Sequence, residues 1–324
     1  MNATRTAPDP PRPPGTRPHP GYEILGHLAR TGWLDLYDSW SEARACRCVI
    51  KVVRPDRRGE DRLAERLLRE GRWLRGFTHP HLVRVYETFT SPEPLVVMET
   101  LTGETLSHLV HRLPRRPAAA DVALLGVQLC SAVHYLHGRG LLHLDLKPSN
   151  VAVDCGHAKV LDLSVARPPG DAPPGLGTFS YLAPEQARGG RLTTAADVWG
   201  IGITLYEVAS GDVPFDRGET IPTGERERER VYGRASGDGE HGEHGEHEEH
   251  GEHEEHGEYE EHGEYWYPQL EASAPPIAAR RRLPRALAAA IDGCLRDDPS
   301  DRPTVPELAA ALGMLLPGRG SMAA

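Results

Sequence analysis

His143-Leu-Asp-Leu-Lys-Pro-Ser-Asn150 places three reactive side-chain types in one short stretch. Asp145 offers a carboxylate, Lys147 an ammonium two residues later, and Asn150 an amide just beyond. Together they supply an acceptor for a hydroxyl proton, a cation for an anionic group in transit, and an oxygen ligand for a metal ion. Val160-Leu-Asp-Leu-Ser164 adds the carboxylate of Asp162, and Gly177-Thr-Phe-Ser-Tyr-Leu-Ala-Pro-Glu185 follows. Taken singly, Asp145, Asn150 and Asp162 are ordinary turn formers. Their order and spacing carry the signal.

The basic residues point to the same places. Nearly all are Arg, a skew that GC-rich coding produces, and the only lysines are Lys51, Lys147 and Lys159. Against that background a lysine marks a position that wants a compact ammonium rather than a planar fork. Lys51 ends the apolar run Cys48-Val-Ile-Lys51, and Glu70 follows on a charged amphipathic segment ahead of His79-Pro-His81. Lys159 reads as a strand-surface residue.

With Ala183-Pro-Glu185 and Asp197-Val-Trp199 downstream, this order resembles the catalytic loop, metal-binding motif and Ala-Pro-Glu motif of protein kinases, most closely the bacterial eukaryotic-like (Hanks-type) serine/threonine protein kinase family. The resemblance covers about Tyr22 to Leu316 apart from one insert. It implies an α+β, bilobal fold with a small β-rich N-lobe and a larger helical C-lobe, and an enzyme using ATP with Mg²⁺ or Mn²⁺ on a protein substrate. It further implies that Lys51 holds the α- and β-phosphates and pairs with Glu70. Asp145 accepts the substrate proton or orients the hydroxyl, and Lys147 sits on the γ-phosphate. A lysine two residues after the aspartate is similar to serine/threonine rather than tyrosine kinases. By the same resemblance Asn150 and Asp162 bind the metal, Thr178 contacts Asp145 and Lys147, Glu185 pairs with Arg302 in the C-lobe, and Asp197 is structural. Adenine is expected near Glu99-Thr-Leu101, with Met98 as gatekeeper and Leu28, Leu36 and Val49 around the ring.

The residue patterns agree with that organisation. Strand-like runs occur at Tyr22–Leu25, Leu34–Tyr37, Cys48–Val53 and Pro94–Met98, with one amphipathic helix from about Arg62 to Arg75. Helical patterns follow at Ala120–His137, Asp197–Val208, Leu283–Leu295 and Val305–Leu315. The expected domain spans 21–316, divided into 21–101 and 102–316. Residues 1–20 are rich in Pro and poor in large apolar side chains, as in a disordered tail. A short tail follows at 317–324.

The net charge of −10 is local: twelve Glu lie between Glu240 and Glu264, and without them the balance is slightly positive. Nothing in that balance indicates a nucleic-acid-binding face. The low-complexity insert at 217–267 repeats Gly-Glu-His and Glu-Glu-His, placing His241, His244, His247, His250, His253, His256 and His262 at short intervals. It is too polar to pack and reads as a solvated acidic loop; its imidazoles also suit Zn, Ni or Cu. The five cysteines, Cys46 and Cys48 included, read as reduced thiols rather than a framework or a metal site. No apolar run is expected to span a bilayer, and the N-terminus lacks the apolar core of a secretory signal, so a cytoplasmic location is expected.

Four departures from the family pattern bear on activity. Ala29, Thr31 and Leu34 stand where the family has the glycines of its phosphate loop, which lets side chains into a cradle built for backbone N–H groups. Val49 replaces an alanine and adds bulk over the adenine. Leu144 replaces the arginine that reads an activation-loop phosphate, and Arg167–Gly177 contains no Ser, Thr or Tyr, so activity without loop phosphorylation is expected. Ser164 replaces the glycine of Asp-Phe-Gly, favouring one fixed conformation. An active kinase is the leading reading. A pseudokinase scaffold, or a metal-responsive protein sensing through the His/Glu tract, stands beside it.

Overall fold

Short apolar, β-branched and aromatic runs over Tyr22–Val53 suit strands, and three antiparallel strands form there, the second and third buried along most of their length. The structure, a computed structural model, describes residues 9–215 and 267–316 of the 324-residue chain. These divide into two units, one of residues 9–78 and 84–102, the other of residues 79–83, 103–215 and 267–316.

In the first unit β1 (Tyr22–Arg30), β2 (Leu34–Ser41), β3 (Cys46–Val53), β4 (Val85–Phe89) and β5 (Leu95–Glu99) make an antiparallel sheet in the order β1-β2-β3-β5-β4. Tyr22, Ile24, Tyr37, Cys48, Ile50, Val52, Leu95 and Val97 form its hydrophobic cluster. Helix α1 (Asp61–Gly76) buries Leu63, Leu67, Glu70 and Leu74. It runs so close to β4 and β5 that a Cβ on Gly71 would come within 2.4 Å of Thr88 Cγ2 and 2.7 Å of Val96 Cγ2.

The Pro-rich N-terminal stretch differs from the disordered tail its composition suggests. Gly15 N donates to Ile24 O (2.8 Å), Ile24 N to Thr16 O (2.9 Å) and Arg12 N to the Tyr37 hydroxyl (2.9 Å). His19 stacks on Phe89 with ring centroids 3.7 Å apart. Prolines without N–H groups tolerate such an extended edge path, while Arg12 and His19 anchor it.

The second unit begins with residues 79–83, which leave the expected N-lobe span and are held by Val83 N donating to Val160 O and Val160 N to His81 O (both 2.9 Å). Its elements are β6 (Glu104–Thr105), α2 (Leu106–Arg112), α3 (Ala119–His137), β7 (Val151–Asp154), β8 (His157–Val160), β9 (Gly170–Ala172), α4 (Pro184–Arg188), β10 (Gly190–Leu192), α5 (Thr194–Ser210), α6 (Arg285–Cys294) and α7 (Val305–Gly313). Strands β6, β7 and β8 form one small sheet, and β9 pairs with β10. Helix α3 corrects the expectation that no run is long and apolar enough for a bilayer, since an 18-residue window of this 19-residue helix reaches a mean hydropathy of 1.4. Its apolarity has another cause: Val122, Leu125, Leu129, Val133 and Leu136 are buried in the core of this unit, where α3 packs against α5 and α7. Helix α5 is buried along nearly its whole length and ends at Gly211, whose φ of 88° suits glycine and whose N–H returns to Glu207 O at 2.6 Å. The His/Glu insert lies outside the described residues except for Tyr267.

Candidate active site

Two clusters carry the sequence-predicted residues. The first is on the five-stranded sheet, where Lys51 of β3 stands opposite Leu36 of β2 and Val96 of β5, and Val49 opposite Met98. Opposed residues share a face, so Leu36, Val49, Lys51 and Met98 line one side of the sheet. All four are buried, whereas Leu28, Glu99 and Leu101 are half-buried. Lys51 Nζ donates to Glu70 Oε1 of α1 at 2.9 Å, with side chains only 3% and 1% exposed. A buried pair of this kind fixes the helix register, because removing either partner strands a charge. Glu99 is held in turn, its Oε1 accepting from Arg84 N at 2.9 Å.

The hairpin between β1 and β2 explains what the missing glycines do. Thr31 N donates to Leu34 O (2.8 Å), and Thr31 Oγ1 accepts from Trp33 N (3.4 Å) and Leu34 N (3.0 Å). Three N–H groups at the tip are thereby spent within the turn. Arg54 donates to Thr31 O and Gly32 O, and Arg57 to Gly32 O (3.1 Å) while also gripping Glu60 at the start of α1. Trp33 is buried under Arg66 of α1, 4.7 Å from guanidinium carbon to ring. Asp35 closes the base of the hairpin: burial would raise its carboxyl, but hydrogen bonds from Arg30 and His27 outweigh that and hold it at about 2. Ala29 and Leu34 are buried.

The second cluster is built on α5. Asp197, in its first turn and 1% exposed, accepts from His143 N (2.9 Å), Leu144 N (2.8 Å) and His137 Nε2 (2.7 Å). Leu144 sits at φ 66°, a left-handed conformation costing a branched residue about 1–2 kcal/mol. That backbone turn presents Asp145. Thr178 Oγ1 donates to Asp145 Oδ1 (2.6 Å) and accepts from Lys147 Nζ, so one hydroxyl bridges carboxylate and ammonium. Asn150 Nδ2 donates to both Asp145 O and Asp145 Oδ2 at 2.9 Å. With the amide nitrogen committed, its Oδ1 is left as a hard oxygen ligand. Leu161 N donates to Asn150 O (3.0 Å), so Asp162 follows one residue after a backbone pairing with Asn150, and Ser164 N donates to Asp162 Oδ1 (2.6 Å). One amide oxygen and one carboxylate suit a Mg²⁺ that takes its other ligands from phosphates and water.

His143 is fully buried, and its Nδ1 accepts from Asp145 N at 3.2 Å. Burial pushes its imidazole below the ordinary histidine range, despite the nearby carboxylates of Asp197, Asp145 and Asp162. Glu185 meets Arg302 through two hydrogen bonds (2.6 and 2.9 Å), and Arg302 also donates to Ala195 O, Arg296 O and Asp297 O and lies over Trp199. Sequence reasoning missed Gln186, whose Nε2 donates to Leu144 O (2.8 Å) and Leu176 O (2.7 Å). Its one signal was adjacency to Glu185.

Cys48 is a buried thiol donating to Ser39 O, pushed up to about 12 by burial, which makes it a packing residue. Among the described residues no group of three or more His, Cys, Asp or Glu is placed to hold a metal. The seven histidines of the acidic tract lie outside the described residues.

Comparison with known proteins bears on this geometry. The family described as protein kinase domain matches residues 35–311. The serine/threonine-protein kinase PknB of Mycobacterium leprae is 34% identical over 179 residues, covering 52% of this chain and 29% of that protein. A probable serine/threonine-protein kinase PknB of Lactococcus lactis is 33% identical over 205 residues, covering 60% of this chain and 32% of its own. The chain thus spans about three tenths of the length of these relatives. Among solved structures, the Mycobacterium tuberculosis PknI kinase domain superposes with a TM-score of 0.64 at 19% identity, over 94% of this chain and 100% of that one. At that identity the likeness is one of fold.

Arg302→Met leaves Glu185 and three carbonyls without their partner and should cost about 3–5 kcal/mol in urea unfolding; a loss under about 1 kcal/mol would contradict the role assigned to the pair. His143 is neutral when folded and protonates when unfolded, so its contribution is intact above about pH 6.5 and declines as pH falls below that value, by up to about 1.4 kcal/mol per pH unit. His143→Gln should flatten the fall in unfolding free energy between pH 7 and 5, and an unchanged slope would show that His143 is not responsible.

Proposed function

The chain belongs to the protein kinase domain family, and from that premise we propose that it transfers the γ-phosphate of ATP to serine or threonine hydroxyls of a protein substrate. The observation that carries this reading is the Thr178 hydroxyl bonded at once to Asp145 and Lys147. Phosphoryl transfer asks the protein chiefly for positioning and charge, and this bridge sets an acceptor and a cation on either side of one point.

In this reading Asp145 accepts the proton of the substrate hydroxyl as its oxygen bonds to the γ-phosphorus and the bond to the β-phosphate oxygen breaks. Lys147 offsets the charge on the moving phosphoryl group. Lys51, oriented by Glu70, holds the α- and β-phosphates. Asn150 Oδ1 and Asp162 would hold Mg²⁺ or Mn²⁺, which would supply positive charge against the phosphates. Leu28, Leu36, Val49 and Met98 surround the adenine, and backbone groups at Glu99–Leu101 bond its edge. The β1–β2 tip contributes little phosphate grip, since its N–H groups close their own turn. Loop phosphorylation is not needed, because Leu144 has no charge to read it.

The spent tip also favours a second reading, a nucleotide-binding scaffold without turnover. Transfer from γ-labelled ATP with Mg²⁺ and then Mn²⁺, to the chain itself and to a generic protein acceptor, separates the two. The expected result is label that falls at least 100-fold in Asp145→Asn while nucleotide-dependent thermal stabilisation persists. Absence of label in the folded parent, with that stabilisation intact, would overturn the kinase reading in favour of the scaffold.

A further inference from the structure

Gln186 follows Glu185 in α4 and is 2% exposed, yet no catalytic chemistry needs it. Its polar atoms are all engaged: Nε2 donates to Leu144 O (2.8 Å) and Leu176 O (2.7 Å), and Oε1 accepts from Ala183 N (3.2 Å). Its backbone carbonyl accepts from Gly175 N at 2.8 Å. Two carbonyls facing one side-chain nitrogen fix the amide orientation, since the flipped amide would set oxygen against oxygen.

The partners give the bonds their meaning. Leu144 immediately precedes Asp145, and Leu176 lies two residues before Thr178. One amide therefore ties the segment carrying Asp145 to the segment carrying Thr178, behind the bridge those residues make with each other. Leu144 shows the constraint most clearly. Its left-handed backbone is held through N–H by Asp197 and through C=O by Gln186. Gly177 shows how tight the join is, because a Cβ there would lie 2.8 Å from Leu144 O and 3.2 Å from Gln186 Nε2 at a φ of 129°.

We infer that Gln186 is a positioning residue for phosphoryl transfer, setting the Thr178 segment against Asp145 by neutral hydrogen bonds where a charged arginine and a phosphate would otherwise do so. This rests on the kinase reading and deepens it. An amide suits this role because it supplies two donors to two carbonyls and one acceptor to an N–H, with no net charge to bury. A carboxylate of the same shape keeps the acceptor and loses both donors. A methionine keeps length and volume and loses all three bonds.

Gln186→Glu and Gln186→Met in the full chain, followed by steady-state kinetics and amide hydrogen exchange, provide the test. In both variants kcat should fall at least 10-fold while KM for ATP stays within about 2-fold, because the nucleotide-holding residues are untouched. Exchange at residues 175–178 should quicken at least 10-fold while α5 stays at the parent level, a pattern that general loss of stability does not give. Parent-level exchange at 175–178 in a folded variant overturns the proposal, and so does parent-level kcat. If Gln186→Met fails to fold, Gln186→Glu decides alone. If the parent transfers no phosphate, the kinase reading is what fails, and exchange at 175–178 still decides whether Gln186 ties the segments.

Discussion

A carboxylate in the first turn of a buried helix organises the reacting residues. Asp197 cannot move without moving α5, which is buried along nearly its whole length, and it accepts two successive backbone N–H groups from His143 and Leu144. Hydrogen bonds to a charged acceptor contribute roughly 1.5–3 kcal/mol each, enough to offset the left-handed backbone of Leu144. That single strained residue turns the chain so that Asp145 meets Thr178, and Thr178 meets Lys147. The chemistry rests on loop residues whose positions are inherited from a rigid helix, as precise placement requires.

A second constraint concerns how charge is handled. In the five-stranded sheet the β1–β2 tip is closed by Thr31 and tied to α1 through Trp33, Arg66 and the Arg57–Glu60 pair. The same helix carries Glu70, paired with Lys51. The residues that stand in place of the family's glycines therefore make a braced hairpin whose tip spends its N–H groups on its own turn; in the function proposed above, phosphate binding falls to lysines and metal instead. The substitution of Leu144 for arginine has a matching counterpart: two segments that a phosphate would pull together are joined by the amide of Gln186.

Much of this was legible in the residue order, for physical reasons. Lys51, Glu70, Asp145, Lys147, Asn150 and Asp162 belong to a chemistry that tolerates few substitutes, so their spacing marks the site. The structure brings Lys51 to Glu70, and Asp145 to Lys147, Asn150 and Thr178. Strand and helix periodicity located β1, β2, β3, β5 and the five longest helices, most to within a few residues, but not α2, α4, β6, β9 or β10. The rest depends on tertiary contacts that composition does not encode. Proline-rich residues 9–20 read as a disordered tail, yet Arg12 and His19 find specific partners in Tyr37 and Phe89. Helix α3 has the apolarity of a membrane span because it lies in a core. The change to Leu144 was visible, but its left-handed backbone was not. Gln186 was silent because an amide announces nothing until the two carbonyls it serves are seen.

The central claim is that the site is assembled by Asp197, Thr178 and Gln186 without a phosphate on the segment before Thr178. The most direct measurement is the rate of γ-phosphate transfer to a protein acceptor before and after exhaustive phosphatase treatment, with the phosphate content of the chain read by mass spectrometry. The predicted result is an initial rate unchanged within about 2-fold in fully dephosphorylated protein. A rate that collapses on dephosphorylation and returns on rephosphorylation would contradict it.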